Sequence, residues 1–242
     1  MPGDNDDPSV AAAAAKAVEL ITDGARVGFG SGRAVRAFIA ELGARRREGL
    51  RVTGVTASES STDEANRAGI PLIALGEGGP LDITVDGADE VAPNLDLLKG
   101  RGGAMVRERI VAAASAIQVI IVGENKLVRH LGERGSVPVE AIPLAEWLVV
   151  RNFEALGLTP HRRLEPGGSG PLISENGNLI FDCALPTPLI DAAAARELER
   201  ALLEIVGVVD TGLFLGTAER VIVGYRDGHA ESLSRTEPIR RQ

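Results

Sequence analysis

An α/β fold is predicted: a doubly wound, mostly parallel sheet domain with a second, smaller α+β domain. Two observations carry this reading. Short apolar, β-branched runs alternate with helix-length stretches through the first half of the chain, which indicates parallel strands joined by crossover helices. After about residue 130 the alternation gives way to mixed strands and a strong hairpin signal at Asn176-Gly177.

The elements follow in order. Residues 1–8 read as a disordered tail, and Val10–Thr22, rich in alanine, as a helix stopped by Asp23-Gly24. Arg26–Gly30 is a strand running into Ser31-Gly32-Arg33-Ala34, and Val35–Leu42 continues as a helix. Arg45, Arg46 and Arg47 fall near that helix's end, where cations suit its dipole. Then come a strand at Val52–Thr56, a helix at Ser60–Ala68 and a strand at Ile70–Leu75. Beyond the Gly76–Pro80 loop lies the run Ile83-Thr84-Val85, then a helix over Ala104–Ala116 and a strand over Val119–Val122. In the second domain the pattern predicts a strand at Val137–Ile142, a helix at Pro143–Leu156 and a strand at Thr159–Leu164. Ile173–Glu175 and Leu179–Phe181 are the arms of the hairpin, and Asp191–Ile205 is a helix. Leu213–Leu215 and Arg220–Gly224 are final strands, the latter able to return to the first domain. The expected organisation is therefore an α/β catalytic domain of residues 9–130 plus 207–242 and a small α+β domain of residues 131–206.

Composition narrows the function. The chain has 242 residues and a net charge of -8, which argues against a general nucleic-acid or acidic-membrane binder. Cys183 is the single cysteine, so no intrachain disulfide and no thiolate metal cluster can form. His130, His161 and His229 have no metal-ligand spacing, and no apolar run reaches membrane-span length. The N-terminus is acidic at Asp4, Asp6 and Asp7, without the basic region of a secretory signal. The expectation is a cytoplasmic enzyme that works without a bound metal.

The candidate site is built on residues 82–109, DITVDGADEVAPNLDLLKGRGGAMVRER. The β-branched run ends in Asp86-Gly87-Ala88-Asp89, and ligands of open α/β sheets bind at the carboxyl ends of strands. Lys99-Gly100-Arg101-Gly102-Gly103 follows, whose glycines let backbone approach a ligand closely, and then Glu108 on a helix. Asp86 and Asp89 taken singly are ordinary turn residues, Lys99 a solvated lysine and Glu108 a helix-surface charge. Their combination behind a buried strand is what marks a site. Ser31, Ser58 and Lys126 fall at the ends of neighbouring strands. The turn Gly28-Phe29-Gly30-Ser31-Gly32-Arg33-Ala34 is a natural phosphate cradle. It matches a dinucleotide fingerprint only in part, since Arg33 occupies the third glycine position and no acid closes the next strand.

Taken together, VGFGSG (27–32), VTASESS (55–61), VDGADE (85–90), LKGRGGAMVRE (98–108), PVEAIP (138–143) and ENGNLIFD (175–182), with VDTGLF (209–214), resemble ribose-5-phosphate isomerase, type A. They occur in that family's order and span nearly the whole chain; the DGAD and KGxGG…RE pair is specific, the Gly-rich turn alone is not. The resemblance implies a ferredoxin-like small domain and interconversion of ribose 5-phosphate and ribulose 5-phosphate, in the non-oxidative branch of the pentose phosphate pathway, without metal or cofactor. It implies Glu108 as general base. Asp86 and Asp89 would open the sugar ring and hold its hydroxyls, Lys99 would lie against substrate oxygens, and Lys126 would bind substrate. It also implies a homodimer or dimer of dimers. Substrate contacts are expected from Ser31, Gly32, Arg33, Ala34, Ser58, Gly87, Ala88, Gly100, Arg101 and Gly102 as well. The family's first loop usually reads Gly-Thr-Gly-Ser-Thr; here Arg33 and Ala34 replace two hydroxyls, and Arg33 is positioned either for a bidentate phosphate contact or for an acid such as Glu41 or Glu59. Ala57 stands where the family commonly has Thr, and Arg109 replaces the usual Lys.

An aldose–ketose isomerisation needs one base that reaches both C1 and C2, donors for the developing oxyanion, and an acid/base to open the ring. Glu108, Lys99 with the N–H groups of residues 100–103, and Asp86 can supply these in turn. Two other classes share parts of the pattern: another sugar-phosphate enzyme of related fold (a deaminase, lactonase or CoA transferase) and a non-catalytic sugar-phosphate sensor.

Overall fold

A computed structural model describes residues 7–236. They fall into two compact units. The first comprises the chain up to Ala88, Arg107–Leu127 and the chain from Gly216; the second comprises Asp89–Val106 and Val128–Leu215.

The first unit begins with α1 (Pro8–Val18), where Asp7 caps the helix by accepting the Ser9 N–H and Pro8 occupies the first turn. Asp7 and Pro8 thus belong to an element, which corrects the expectation of a disordered tail through residue 8; residues 1–6 of that expectation lie outside the described residues. Then follow β1 (Ala25–Phe29), α2 (Gly32–Arg47), β2 (Val52–Thr56), α3 (Glu59–Arg67) and β3 (Ile83–Asp86). Past β4 (Glu90–Val91) and β5 (Leu97–Leu98) comes α4 (Met105–Ala113), then β6 (Gln118–Gly123). In the second unit lie β7 (Ser136–Ala141), α5 (Glu146–Ala155), β8 (Thr159–Arg162), β9 (Leu179–Ala184), α6 (Ala192–Leu203), β10 (Val208–Thr211) and β11 (Leu213–Phe214). The chain closes in the first unit with β12 (Arg220–Gly224) and β13 (Ala230–Ser234).

The first unit's sheet has six strands in the order β13-β12-β6-β3-β1-β2, parallel except for β13. Strands buried on both faces read as continuous apolar runs, and Gln118–Gly123 is buried at every position. Val27, Phe29, Ile83, Val85, Val119 and Ile121 pack on α1 and α2 on one face. On the other, Val55, Ala57 and Leu81 meet Val111 of α4. The sheet is therefore doubly wound, as predicted. From β1 the chain goes to β2 on one side, then to β3 on the other, so the carboxyl ends of β1 and β3 form the topological switch point.

The second unit's main sheet runs β10-β7-β9-β8, antiparallel throughout. With α5 and α6 as connections this is the β-α-β-β-α-β, ferredoxin-like arrangement. Phe153 of α5 meets Phe181 of β9 edge-on at 5.8 Å between ring centres. A three-stranded sheet, β11-β5-β4, adds Asp89–Val106 to this unit, because β5 pairs with β11 rather than with the parallel sheet. Residues 89–106, 128–130 and 207–215 thus fall with the small unit, where the expected bounds place them in the catalytic domain.

Two expected strands do not form. Ile70–Leu75 makes only the single bridge Gly54–Leu72, since Pro71 has no N–H to extend a ladder. Ile173–Glu175 makes only the bridge Ile173–Leu179, because Ser174 turns its hydroxyl onto buried Glu140 while β9 pairs with β7 and β8.

Candidate active site

The first unit gathers Ser31, Asp86 and Glu108 at its switch point. Ser31 is the N-cap of α2, a position whose hydroxyl ordinarily accepts an N–H of its own helix. Here it makes no such bond; Ser31 Oγ instead donates to Glu108 Oε1 at 2.5 Å. Asp86, the last residue of β3, accepts on Oδ1 the N–H of Gly87 at 2.7 Å and of Ser31 at 3.3 Å. Both carboxylates are buried, Asp86 at 0% and Glu108 at 4% exposure. Glu108 lies in the first turn of α4, where a negative charge suits the helix dipole.

The backbone at Gly30 comes so close to Asp86 that a Cβ there would lie 1.9 Å from Oδ1. The turn is also tied from behind: Gly30 N–H donates to Val85 O, and Ser61 Oγ donates to Gly30 O at 2.6 Å. Ser58 is the buried N-cap of α3, accepting the Ser61 N–H, so it supports this turn as a cap. Ala34 and the Ser31 carbonyl face Gly87. Lys126 stands half-buried in a 3₁₀ turn directly after β6.

Arg33 is exposed on the outer side of α2's first turn and lines an open cleft of about 450 Å³ with Asp7, Arg36, Glu41, Glu64 and Arg67. The Asp7 carboxyl is held below its usual range, first by the Ser9 hydroxyl and further by the positive charge of Arg33. Glu41, one of the acids expected near Arg33, lines the same cleft.

In the second unit, Asp89 N–H donates to Leu98 O at 2.8 Å, and Asp89 Oδ2 accepts the N–H of Arg101 at 3.0 Å. Lys99 is buried, its Nζ 5.5 Å from the centre of the Phe214 ring. Lys99 N–H donates to Gly212 O, and Gly100 adopts φ +110, a conformation glycine alone takes freely. Gly103 N–H closes the turn onto Gly100 O, leaving Arg101 and Gly102 exposed. Ala88 is the half-buried last residue before the chain enters this unit.

Sequence reasoning missed the side chains that hold the second unit's turn. Glu90, fully buried, accepts the N–H groups of Gly132 and Arg134. Arg163 reaches the Gly100 and Arg101 carbonyls. Glu90 and Asp182 sit inside quoted motifs and could have been weighed there; Arg163, in the polar run His161-Arg162-Arg163, carries no local signal. The buried Cys183 thiol is pushed up to about 12 by burial, and further by Asp182, which keeps it protonated and unreactive. Among the described residues no group of three or more His, Cys, Asp or Glu could hold a metal ion, and no helix is long and apolar enough to cross a membrane.

Residues 53–228 match the family Ribose 5-phosphate isomerase A (phosphoriboisomerase A). The chain is 43% identical over 221 residues to ribose-5-phosphate isomerase A of Deinococcus radiodurans, covering 90% of this chain and 95% of that one. The counterpart from Methanothermobacter thermautotrophicus is 43% identical over 217 residues, covering 89% and 93%. Among solved structures, ribose 5-phosphate isomerase A of Methanocaldococcus jannaschii superposes with a TM-score of 0.87 at 38% identity, covering 95% of this chain and 99% of that one. A D-ribose-5-phosphate isomerase in complex with phospho-erythronic acid gives 0.87 at 34% identity, covering 93% and 97%. Motif order, fold and full-length similarity agree: this chain belongs to the ribose 5-phosphate isomerase A family.

Proposed function

We propose that Glu108, oriented by Ser31 beside Asp86, is the proton shuttle of this ribose-5-phosphate isomerase. The hydrogen bond from Ser31 to Glu108 carries the reading, because it turns a helix-capping hydroxyl onto a buried carboxylate at the sheet's switch point. Ring opening breaks the C1–O4 bond. Asp86 takes the proton from the C1 hydroxyl and returns one to O4. Glu108 then removes the proton from C2, the electron pair moves toward C1, and negative charge gathers on O1 of the enediolate. The family resemblance assigns Lys99 to those oxygens, and the N–H groups of Gly100 and Gly102 join it in this reading, those of Arg101 and Gly103 being taken by Asp89 and the Gly100 carbonyl. Glu108 delivers its proton to C1 while the O2 proton passes to O1, leaving the ketone at C2. The same carboxylate serves both carbons, so no metal is needed to balance the step.

Asp89 and Lys126 are proposed to bind the sugar phosphate, together with Ser31, Gly32, Ala34, Gly87, Ala88, Gly100, Arg101 and Gly102. The enzyme is proposed to act in the cytoplasm as a homodimer or dimer of dimers. Leu144, Trp147 and Val206, at 96, 69 and 77% exposure, give the small unit apolar surface of the kind that association covers.

The test is turnover of ribose 5-phosphate by purified protein in EDTA, beside the Glu108→Gln variant. Activity is expected to survive chelation and to fall by about 10²–10⁴-fold in the variant. Activity lost in EDTA and restored by a divalent cation overturns the metal-free route. A folded variant with ordinary turnover moves the base elsewhere.

A further inference from the structure

Arg163 follows β8 and is fixed through its backbone on both sides. Its N–H donates to Ile180 O at 2.8 Å, and its carbonyl accepts the N–H of Leu172 at 2.9 Å. Its side chain is mostly buried and its guanidinium grips Asp182 with two bonds, Nε to Oδ2 at 2.9 Å and Nη2 to Oδ1 at 2.5 Å. That fork is rigid and directional, so the third nitrogen is aimed. Nη1 donates to the carbonyls of Gly100 at 2.8 Å and Arg101 at 3.1 Å.

In a trans peptide the N–H points opposite to the C=O, and the described residues contain no cis peptide bond. With the Gly100 carbonyl held by Arg163, the Arg101 N–H must point away from it, and there it meets Asp89 Oδ2 at 3.0 Å. The Arg101 carbonyl aims the Gly102 N–H to that same side. The result is an alternating line of carboxylate, guanidinium, peptide and carboxylate: Asp182, Arg163, Gly100–Arg101, Asp89. Each member polarises the next, so the cation strengthens the donor that Asp89 receives.

We propose that Arg163, anchored by Asp182, is a positioning residue of the isomerase: it orients the Gly100–Gly102 peptides and, through the Arg101 N–H, the Asp89 carboxylate. The proposal rests on the functional reading above, in which Asp89 and the 100–103 turn face substrate. It assigns no contact between Arg163 and the substrate.

Steady-state kinetics on ribose 5-phosphate would compare Arg163→Ala, Arg163→Lys, Asp182→Asn, Asp89→Asn and the Arg163→Ala/Asp89→Asn double variant, with hydrogen exchange read at residues 99–103. Misplacing a site by about an ångström costs on the order of 10²-fold, so Arg163→Ala is expected to lose about 10–100-fold in kcat/KM. Arg163→Lys keeps the charge but not the fork and is expected to recover little. Because Arg163 acts through Asp89, the double variant is expected to fall no more than about threefold below Asp89→Asn alone. Exchange is expected to quicken at Arg101 and Gly103, whose N–H groups are held by Asp89 and the Gly100 carbonyl, while β7 and β9 stay protected. Penalties that multiply in the double variant, full recovery by Arg163→Lys, or unchanged exchange overturn the proposal. An inactive wild type with quickened exchange in Arg163→Ala would instead overturn the functional reading, and with it the catalytic purpose of a clamp still seen to hold its turn.

Discussion

Replacing Gly30 with alanine tests whether the proposed active site depends on one missing methyl group. The added Cβ would lie 1.9 Å from Asp86 Oδ1 and 2.0 Å from its Cγ. An ordinary nonbonded contact needs about 3.5 Å, so the carboxylate or the turn must move by about 1.5 Å. Asp86 has little room to yield, being fully buried with Oδ1 held by two backbone N–H groups. Overpacking a core costs about 1–3 kcal/mol, and a hydrogen bond to a charged group is worth about 1.5–3 kcal/mol. Losing one such bond on top of the strain gives a destabilisation of about 2.5–6 kcal/mol. For a chain of this size that lowers the melting temperature by roughly 5–24 °C. A displacement of this order at Asp86 is also expected to reduce kcat by on the order of 10²-fold. Thermal and urea unfolding with turnover of the folded variant measure both. Gly170→Ala is the control, because a Cβ there meets nothing within 4 Å; it is expected to shift stability by less than about 0.5 kcal/mol. A Gly30→Ala protein as stable and active as wild type would refute the close approach and the account of Asp86 built on it.

Ser31→Ala removes the donor to Glu108 and is expected to lower kcat/KM by about 10–100-fold, the equivalent of one charge-assisted bond; Ser31→Thr, which keeps the hydroxyl, is expected to retain most activity. Arg33→Ala is expected to leave KM for ribose 5-phosphate unchanged at low and high salt, since Arg33 shares its cleft with Asp7, Glu41 and Glu64; a KM that rises, most at low salt, would place the guanidinium on phosphate. The Asp23 carboxyl is lowered to about 2 by its bonds with Arg51. A depressed carboxylate favours the folded state above its unfolded value, near pH 4, and that contribution disappears as pH falls through about 2. Arg51→Gln is therefore expected to flatten the acid limb of the stability curve between about pH 4 and 2, read by urea unfolding; identical limbs in the two proteins would refute the pairing.

The parallel sheet was legible because its strands are buried on both faces, as Ile83–Val85 and Val119–Val122 declare by composition. β13 was not, since Ala230–Ser234 is a mostly exposed edge with Leu233 as its one large apolar residue, too little for an apolar alternation to show. β4 and β5, of two residues each, leave no period to detect. Of the candidate residues, Asp86 and Glu108 in the first unit and Asp89 and Lys99 in the second stand out in the sequence because ionisable residues there flank a strand end and a Gly-rich turn. That Ser31 serves Glu108 rather than its own helix was not readable, for an N-cap serine looks the same in sequence whichever way its hydroxyl points. Arg163 was hidden for a related reason: its partners lie 19 and about 60 residues away, and no local spacing encodes them.

The order β13-β12-β6-β3-β1-β2 bears on how the chain survives its own synthesis. β6, buried at all six positions once folded, has one flank covered by β12, whose residues are translated nearly a hundred positions later. Until Arg220–Gly224 leaves the ribosome, the nascent α/β unit carries an open apolar edge of the kind that recruits foreign strands. The ferredoxin-like segment from β7 to β10 has all its pairing partners in hand earlier, and can condense while that edge waits. Damage that stops translation between β10 and β12 would therefore yield a sticky fragment rather than a smaller enzyme, a vulnerability set by strand order and not by any residue of the active site.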